Sequence, residues 1–433
     1  NMAFVIIQHL SPQHKSIMAS LLEKQTSMVV SQIEDGTTVK PNHVYLNPPG
    51  KNVALYNRRL HLMEPIKSSA INMPVDFFFR SLSEDLREKA IGIILSGTAS
   101  DGTMGIRAIK GEGGMAMVQQ PDTAKYDGMP RSAVDTGLID FIIPVKKMPE
   151  TLIRYAQHPF LALQGKIERP DTPSKNQIQK IFGLIRGATG HDFSHYKQSS
   201  ISRRIERRLA VHQIKTLSDY ILFLQKNPAE IDILFKNLVI GVTRFFRDPE
   251  AYQVLEQEAL PELLKKKAPD AMIRFWVTGC STGEEAYSLA MILSELMDKI
   301  KKHFNVQIFA TDIDATAIEV ARRGIYPENI GVDVSPERLK QFFIKEPGIF
   351  KVKKQLRDMV VFSLQSVVKD PPFSRLDLVS CRNLMIYMDN VLQKKIIPLF
   401  HYTLNPGGIL FLGTSESIGE NTDLFRPVNS KWK

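Results

Sequence analysis

A chain of 433 residues with 43% apolar and 24% charged residues is globular and long enough for two or three domains, each burying its own core. No apolar run approaches the roughly 18 residues of a membrane span and no signal peptide is visible, while two cysteines, Cys280 and Cys381, exclude a disulfide framework and fit a reducing cytoplasm. The net charge of +10 admits nucleic acid, a membrane surface or an acidic protein as partner, and charge alone does not choose among them.

Residues 1–158 alternate strand-like runs at 4–8, 43–46, 90–96, 115–119 and 140–144 with helical stretches, the pattern of an α/β domain with a parallel sheet. The chain starts directly before the first run and ends in what reads as another strand, so it reads as clipped at both ends. His9 and Asp101 each follow a predicted strand, where the loops of a parallel sheet gather polar residues. A lone His there is more often structural than catalytic. Residues 159–176, with Pro170, Pro173 and mixed charge, read as a linker. Residues 177–250 carry helical periodicity with few strand signals. Within them the helix predicted over 199–212 places Arg204, Arg207 and Arg208 on one face, with Arg203 alongside. Such a run is ordinarily a solvated face.

From Ile273 onward strands and helices alternate again, with main strands at 275–278, 306–311, 376–381 and 408–413. Pro327, Pro336 and Pro347 break the rhythm over 325–362, which reads as an inserted small β subdomain. The run Trp-Val-Thr-Gly-Cys-Ser-Thr-Gly-Glu-Glu-Ala-Tyr-Ser-Leu-Ala at 276–290 is a strand end, a small-residue turn and a helix start. Gly279 and Gly283 allow a close backbone approach to a ligand. Two acids at a helix N-terminus repel phosphate and suit a cationic or zwitterionic ligand, such as S-adenosylmethionine with its sulfonium and amino group. Roughly 30 residues on, the next strand ends in Asp312, where an acid grips ribose hydroxyls in a doubly wound fold. The turn alone is equally a well-capped helix; Asp312 at the next strand end favours the cofactor.

Four ordered motifs carry a family resemblance: Thr243-Arg244-Phe245-Phe246-Arg247, Ser281-Thr282-Gly283-Glu284-Glu285, Thr311-Asp312-Ile313-Asp314 and Cys381-Arg382-Asn383-Leu384-Met385-Ile386-Tyr387. With them residues 177–433 resemble the chemotaxis receptor methyltransferases (CheR), which make glutamate methyl esters on chemoreceptors. The resemblance implies a helical domain at 177–250 and a Rossmann-like methyltransferase domain at 251–433. It sets Thr243, Arg247, Gly279, Gly283, Glu285, Asp312, Ser366, Val367, Arg382 and Asn383 around S-adenosylmethionine, with S-adenosylhomocysteine as product. Arg247 and Tyr387 come nearest the transferred methyl, and no metal is involved. These residue types suit the roles: Glu285 for the amino group, Asp312 for the ribose, an Arg fork for a carboxylate. The acceptor carboxylate is anionic at neutral pH, so no general base is needed. The resemblance also implies that Arg204, Arg207 and Arg208 meet the acidic methylation helices of the receptor. Family members often carry Asn where Gly241 and Ser366 stand here, which implies weaker cofactor affinity. The insert is shorter around 345–353 than in members that grip a receptor tail peptide, so no tethering is expected.

Residues 1–158 resemble the catalytic domain of the chemotaxis methylesterases (CheB), through Ile7-Gln8-His9, Pro48-Pro49-Gly50, Ser96-Gly97-Thr98-Ala99-Ser100-Asp101-Gly102 and Gly128-Met129-Pro130-Arg131-Ser132-Ala133. The resemblance makes His9 the base and Asp101 the orienter of a serine triad. The family's serine lies in a Gly-rich turn roughly 25 residues before that His, upstream of Asn1. Ser11, Ser96 and Ser100 lie in no such turn, so ester hydrolysis by the usual mechanism is not expected of this chain.

Two other readings remain. Asp370-Pro371-Pro372-Phe373 mimics the motif with which nucleic-acid methyltransferases hold a flipped adenine, but it precedes its strand instead of ending one, and Asn47-Pro48-Pro49-Gly50 lacks the aromatic. A non-catalytic scaffold would also fit Gly241, Ser366 and the missing serine. The expectation is a cytoplasmic fusion of two doubly wound α/β domains joined through a small helical domain. Its partners are acidic receptor helices, with no nucleic acid and no membrane insertion.

Overall fold

The computed structural model describes residues 2–10, 16–65, 72–158, 175–239, 241–429 and 432. The chain divides into two compact units: Asn1–Ile167 with Arg207–Lys215, and Glu168–Glu206 with Thr216–Lys433. The linker expected at 159–176 lies almost wholly outside the described residues. The helical stretch at 177–250 is shared between the two units and does not form a third. No helix among the described residues is long and apolar enough to cross a membrane.

The strands of the first unit are β1 (Phe4–Ile6), β2 (Val29–Gln32), β3 (Thr37–Thr38), β4 (His43–Leu46), β5 (Asn52–Tyr56), β6 (Arg59–Met63), β7 (Ile91–Ile94), β8 (Met115–Gln119) and β9 (Phe141–Ile143). In place of the single parallel sheet expected, the described residues form two three-stranded parallel sheets, β1-β4-β2 and β7-β8-β9, and an antiparallel sheet β3-β6-β5. β8 is buried at every residue, which accounts for its apolar run at 115–118. The hairpin between β5 and β6 turns on Asn57 and Arg58, both at positive φ, and Asp85 accepts both of their N–H groups. Val75, Phe78 and Phe79 of the helix Pro74–Leu86 pack with Ile94, Ile106, Ile109 and Val118. Ala210, from the later segment Arg207–Lys215, packs with Met115, Met117, Leu152 and Tyr155.

The second unit carries β10 (Met272–Thr278), β11 (Asn305–Asp312), β12 (Ile325–Pro327), β13 (Phe343–Glu346), β14 (Ile349–Val352), β15 (Val360–Leu364), β16 (Leu376–Cys381) and β17 (Leu404–Leu412). Five of them form a parallel sheet in the order β15-β11-β10-β16-β17. The insert is the antiparallel sheet β12-β14-β13. It ends earlier than the 325–362 expected, because β15 is already the edge strand of the main sheet. Phe275 and Val277 of β10 face the core shared with Leu289 and Ile292 of the helix Glu284–Ile300. Trp276 faces the opposite core, with Ile396 and Phe400 of the helix Asn390–Thr403. Strand order reverses between β10 and β16, which makes the crevice beyond their carboxyl ends the natural ligand position.

Candidate functional site

β10 ends at Thr278, and the turn that follows places Gly279, Ser281 and Gly283 at φ of +66°, +48° and +95°. A side chain at Gly283 would bring a Cβ within 2.8 Å of the Ala321 methyl, so both space and backbone angle require glycine there. The Ser281 N–H donates to Asp312 Oδ2 at 2.7 Å and the Asp314 N–H to Oδ1 at 2.9 Å. Burial outweighs the backbone hydrogen bonds and pushes the Asp312 carboxyl up to about 6. Glu285 opens the helix Glu284–Ile300. Its carboxylate accepts the Ser380 hydroxyl at 2.6 Å and an Arg382 Nη1 at 3.4 Å. Two partly open acids, Asp312 at the end of β11 and Glu285 at the start of the helix after β10, are an acceptor set suited to a pair of hydroxyls and an ammonium.

Arg382 corrects its assignment as a cofactor-binding side chain. Its guanidinium is fully buried, stacks on Tyr252 and Phe411, and donates to the Arg247 carbonyl at 2.6 Å and Asp248 Oδ2 at 2.8 Å. The fork does hold carboxylates, but they are the protein's own Asp248 and Glu285. Arg382 therefore ties the segment around Arg247 to the turn of Glu285. Within that segment Phe245 and Phe246 are buried anchors. Phe245 packs edge-on against Tyr326 and Phe343 of the insert, and the Phe246 N–H donates to Ser288 Oγ at 3.1 Å. Thr243 and Arg247 are left partly buried on either side of them, with one Arg247 Nη donating to the Val242 carbonyl at 2.6 Å.

Asn383 has a left-handed backbone, φ +57°. The reason is a residue the sequence reading missed. Glu416 accepts the N–H groups of Asn383, Leu384, Met385 and Gly413, all at 2.8–2.9 Å, and so gathers the loop after β16 onto the end of β17. The only sequence signal for it is a Gly-Thr-Ser turn just after a strand. Ser366 and Val367 are buried in the turn after β15, where the Ser366 N–H donates to Asp370 Oδ2 and the Gln365 N–H to the Asp312 carbonyl. A Cβ at Gly241 would collide with the Ser281 side chain, whose hydroxyl donates to the Gly241 carbonyl at 3.1 Å. The larger residue common in the family would have to displace that contact.

The arginine face is the second correction. Arg204, Arg207 and Arg208 do share one side of the helix Gln198–His212, but Arg207 and Arg208 are buried, each about 4% exposed. Arg207 Nη2 lies 2.6 and 2.8 Å from the two oxygens of Asp140, which also receive Lys110 Nζ at 2.7 and 2.8 Å. Arg208 Nη1 stands 3.7 Å from the same carboxylate. These cations hold a core and present no surface to a receptor. Arg204 belongs to the other unit, where it donates to the carbonyls of Asn237 and Leu238 and covers the ring of Tyr387.

In the first unit His9 and Asp101 meet as expected, with His9 Nε2 2.7 Å from Asp101 Oδ2. Asp101 also accepts N–H groups from Val75, Asp76 and Gly102, two of them at the start of the helix Pro74–Leu86. The hydrogen bond to Asp101 raises the His9 pKa, and the other side of the ring remains exposed. Ser96 Oγ is engaged with the backbone of Tyr126, and Ser11 lies outside the described residues.

Comparison with known proteins matches residues 1–152 to the CheB methylesterase model. Residues 176–239 match the all-alpha domain of CheR methyltransferase, and residues 241–433 match its SAM binding domain. The chemotaxis protein methyltransferase of Borreliella burgdorferi is 33% identical over 269 residues, covering 60% of this chain and 95% of that protein. An uncharacterized 104.1 kDa protein of Rhodobacter capsulatus is 33% identical over 434 residues, covering 96% of this chain; the chain spans about half of that relative, 46% of its length. Among solved structures, the Thermotoga maritima CheB methylesterase catalytic domain shares 32% identity, covering 34% of this chain and 81% of that one at a TM-score of 0.33.

Proposed function

The chain belongs to the CheR methyltransferase family, in a form with a CheB methylesterase domain ahead of the methyltransferase, and we propose that it methylates glutamate carboxylates on the acidic methylation helices of chemoreceptors. The observation that carries this reading is the pair of under-filled carboxylates, Asp312 and Glu285, at the switch point of the parallel sheet. The residues present fit S-adenosylmethionine: an ammonium for Glu285, ribose hydroxyls for Asp312, and no phosphate to repel either. Bound there, the cofactor supplies a methyl group made electrophilic by its sulfonium.

The protein's own part is alignment. Asp312 is held by backbone N–H groups, those of Ser281 and Asp314 foremost, and is left part-exposed, so that it can accept ribose hydroxyls without moving. Glu285 is fixed by Ser380 and Arg382 before any ligand arrives, so no reorganisation accompanies binding. Arg247, with one nitrogen secured on Val242, orients the incoming glutamate carboxylate, and Tyr387 lies with it nearest the transferred methyl. The attacking oxygen is already anionic, and the reaction needs no proton transfer, only approach of the carboxylate to the methyl in line. Arg207 and Arg208, being buried, take no part in docking. The His9–Asp101 pair suits base and orienter for hydrolysis of the same class of ester in the CheB domain.

The test is transfer of tritium from methyl-labelled cofactor to a chemoreceptor cytoplasmic fragment, with DNA and RNA as competing acceptors. Label that appears on the receptor fragment and leaves as methanol in mild base is the expected result. Base-stable label, or label on nucleic acid, overturns the proposal.

A further inference from the structure

Tyr387 ends a short turn, Met385–Tyr387, that follows directly from Arg382 and Asn383 at the end of β16. Glu416 holds the start of this loop; its end is held by the helical segment. The Lys197 N–H donates to the Tyr387 carbonyl at 2.8 Å and the Asp389 N–H to the His195 carbonyl at 2.9 Å, an antiparallel bridge pairing Tyr196 with Met388. The ring has a partner of its own. The guanidinium carbon of Arg204 lies 5.5 Å from the Tyr387 ring centroid, within cation–π range.

Arg204 is itself anchored. Its Nη1 donates to the carbonyls of Asn237 and Leu238, at 3.0 Å for the latter, the last residues of the helix Pro228–Leu238. Terminal carbonyls of a helix lack intrahelical donors, and the helix dipole favours a cation beside them. One end of the planar group is thus locked to backbone while its face covers Tyr387. A surface charge waiting for a receptor would be held by neither.

We infer that Arg204 is a positioning residue for Tyr387: it fixes the ring beside the cofactor crevice by coupling it to the end of the helix Pro228–Leu238. The inference rests on the methyl-transfer reading for its consequence, though not for the contact itself. A Lys at this position keeps the charge and can still bond the carbonyls, but it has no planar face to lay over the ring.

The experiment uses the full chain labelled with 3-fluorotyrosine. The Tyr387 resonance in the ¹⁹F spectrum is identified by its disappearance in Tyr387→Phe. Arg204→Met and Arg204→Lys are compared with Arg203→Met, a change at the exposed neighbour. For methyl transfer to a receptor fragment, kcat and KM are measured at low and high salt, and cofactor affinity by calorimetry. Arg204→Met is expected to move the Tyr387 resonance and to lower kcat by roughly tenfold or more. Acceptor KM, its salt dependence and cofactor affinity stay unchanged. Arg204→Lys should restore kcat only in part, and Arg203→Met should change nothing. An unmoved Tyr387 resonance overturns the inference whatever the activity. So does a loss that falls entirely on acceptor KM and fades with salt, which would make Arg204 a docking charge, or entirely on cofactor affinity, which would make it a structural support. If the wild-type chain transfers no label, the methyl-transfer reading fails, and the fluorine spectrum still decides whether Arg204 orders the ring.

Discussion

Each unit places a carboxylate at the carboxyl end of a parallel sheet, and the two are equipped differently. Asp101 accepts three backbone N–H groups and one His9 ring nitrogen on its two oxygens, which fills its lone-pair sites. Among the described residues Asp312 is bonded by backbone N–H groups alone, those of Ser281 and Asp314 at 2.7 and 2.9 Å. The first has no capacity left for a ligand and works by holding His9 in one orientation. The second is half-buried with no described side chain bonded to it, and its raised pKa reflects burial that its backbone hydrogen bonds do not offset. A carboxylate satisfied by its own protein orients; one left under-filled waits for a ligand.

Substituting the two acids separates these roles most sharply. Asp312→Ala removes both acceptors meant for the ribose, and two charge-assisted hydrogen bonds correspond to a loss on the order of 100-fold in S-adenosylmethionine affinity by calorimetry. An affinity within a few-fold of wild type would place the cofactor elsewhere. Asp101→Asn turns an amide NH2 toward backbone N–H donors and is expected to destabilise the protein by about 2 to 4 kcal/mol in chemical denaturation, with cofactor affinity untouched. It should also let the His9 pKa fall back toward 6.5, seen by proton titration of the ring. The sign follows from the raised value: the His9–Asp101 pair stabilises the fold below 6.5, and that contribution is lost as pH rises through the folded-state pKa.

How much of this was legible depended on whether the information was local. β4, β8 and β16 were bounded in the sequence to the residue, because short apolar runs flanked by turn residues mark strands buried on both faces. The turn of Gly279 to Gly283 and the acid of Asp312 were readable for the same reason: the motif and its structure lie within one strand–turn–helix unit. β15 was hidden because five residues of alternating exposure follow directly on a proline-broken insert. The hairpin of β5 and β6 was hidden because its turn has no glycine, although both central residues sit at positive φ. The arginine face was right in periodicity and wrong in environment. Nothing at Arg207 or Arg208 announces an Asp140 sixty-seven residues away in sequence from Arg207, and only the fold distinguishes a solvated stripe from a buried one. Arg382 fails likewise, its partner Asp248 being 134 positions distant.

The pH profile sharpens the comparison by a smaller amount. Asp312 titrates near 6, so a protonated carboxyl below that value loses acceptor strength, and cofactor affinity should fall toward tenfold per pH unit as pH drops through about 6. Without cofactor the dependence reverses: a folded-state pKa above the ordinary 3.8 means that stability is greatest with Asp312 protonated and declines as pH rises through about 6. Calorimetry and denaturant melts across this range should therefore slope in opposite directions. A flat binding profile would mean that the ribose is not held by Asp312.

The smallest effect tests whether Asp312 is set by its own strand or by the helix beyond it. Asp314 caps the helix Ala315–Arg323, its side chain accepting the Thr316 N–H at 2.8 Å and the Ala317 N–H at 3.3 Å, while its backbone N–H donates to Asp312. Asp314→Ala removes the cap but keeps the backbone donor, so it should cost about 1 kcal/mol of stability and leave cofactor affinity unchanged. It also removes a neighbouring negative charge that raises the Asp312 pKa, so the binding profile should shift slightly to lower pH. If affinity falls along with stability, the helix start is what holds the Asp312 carboxylate in place, and the under-filled acid depends on its neighbours as Asp101 depends on the helix Pro74–Leu86.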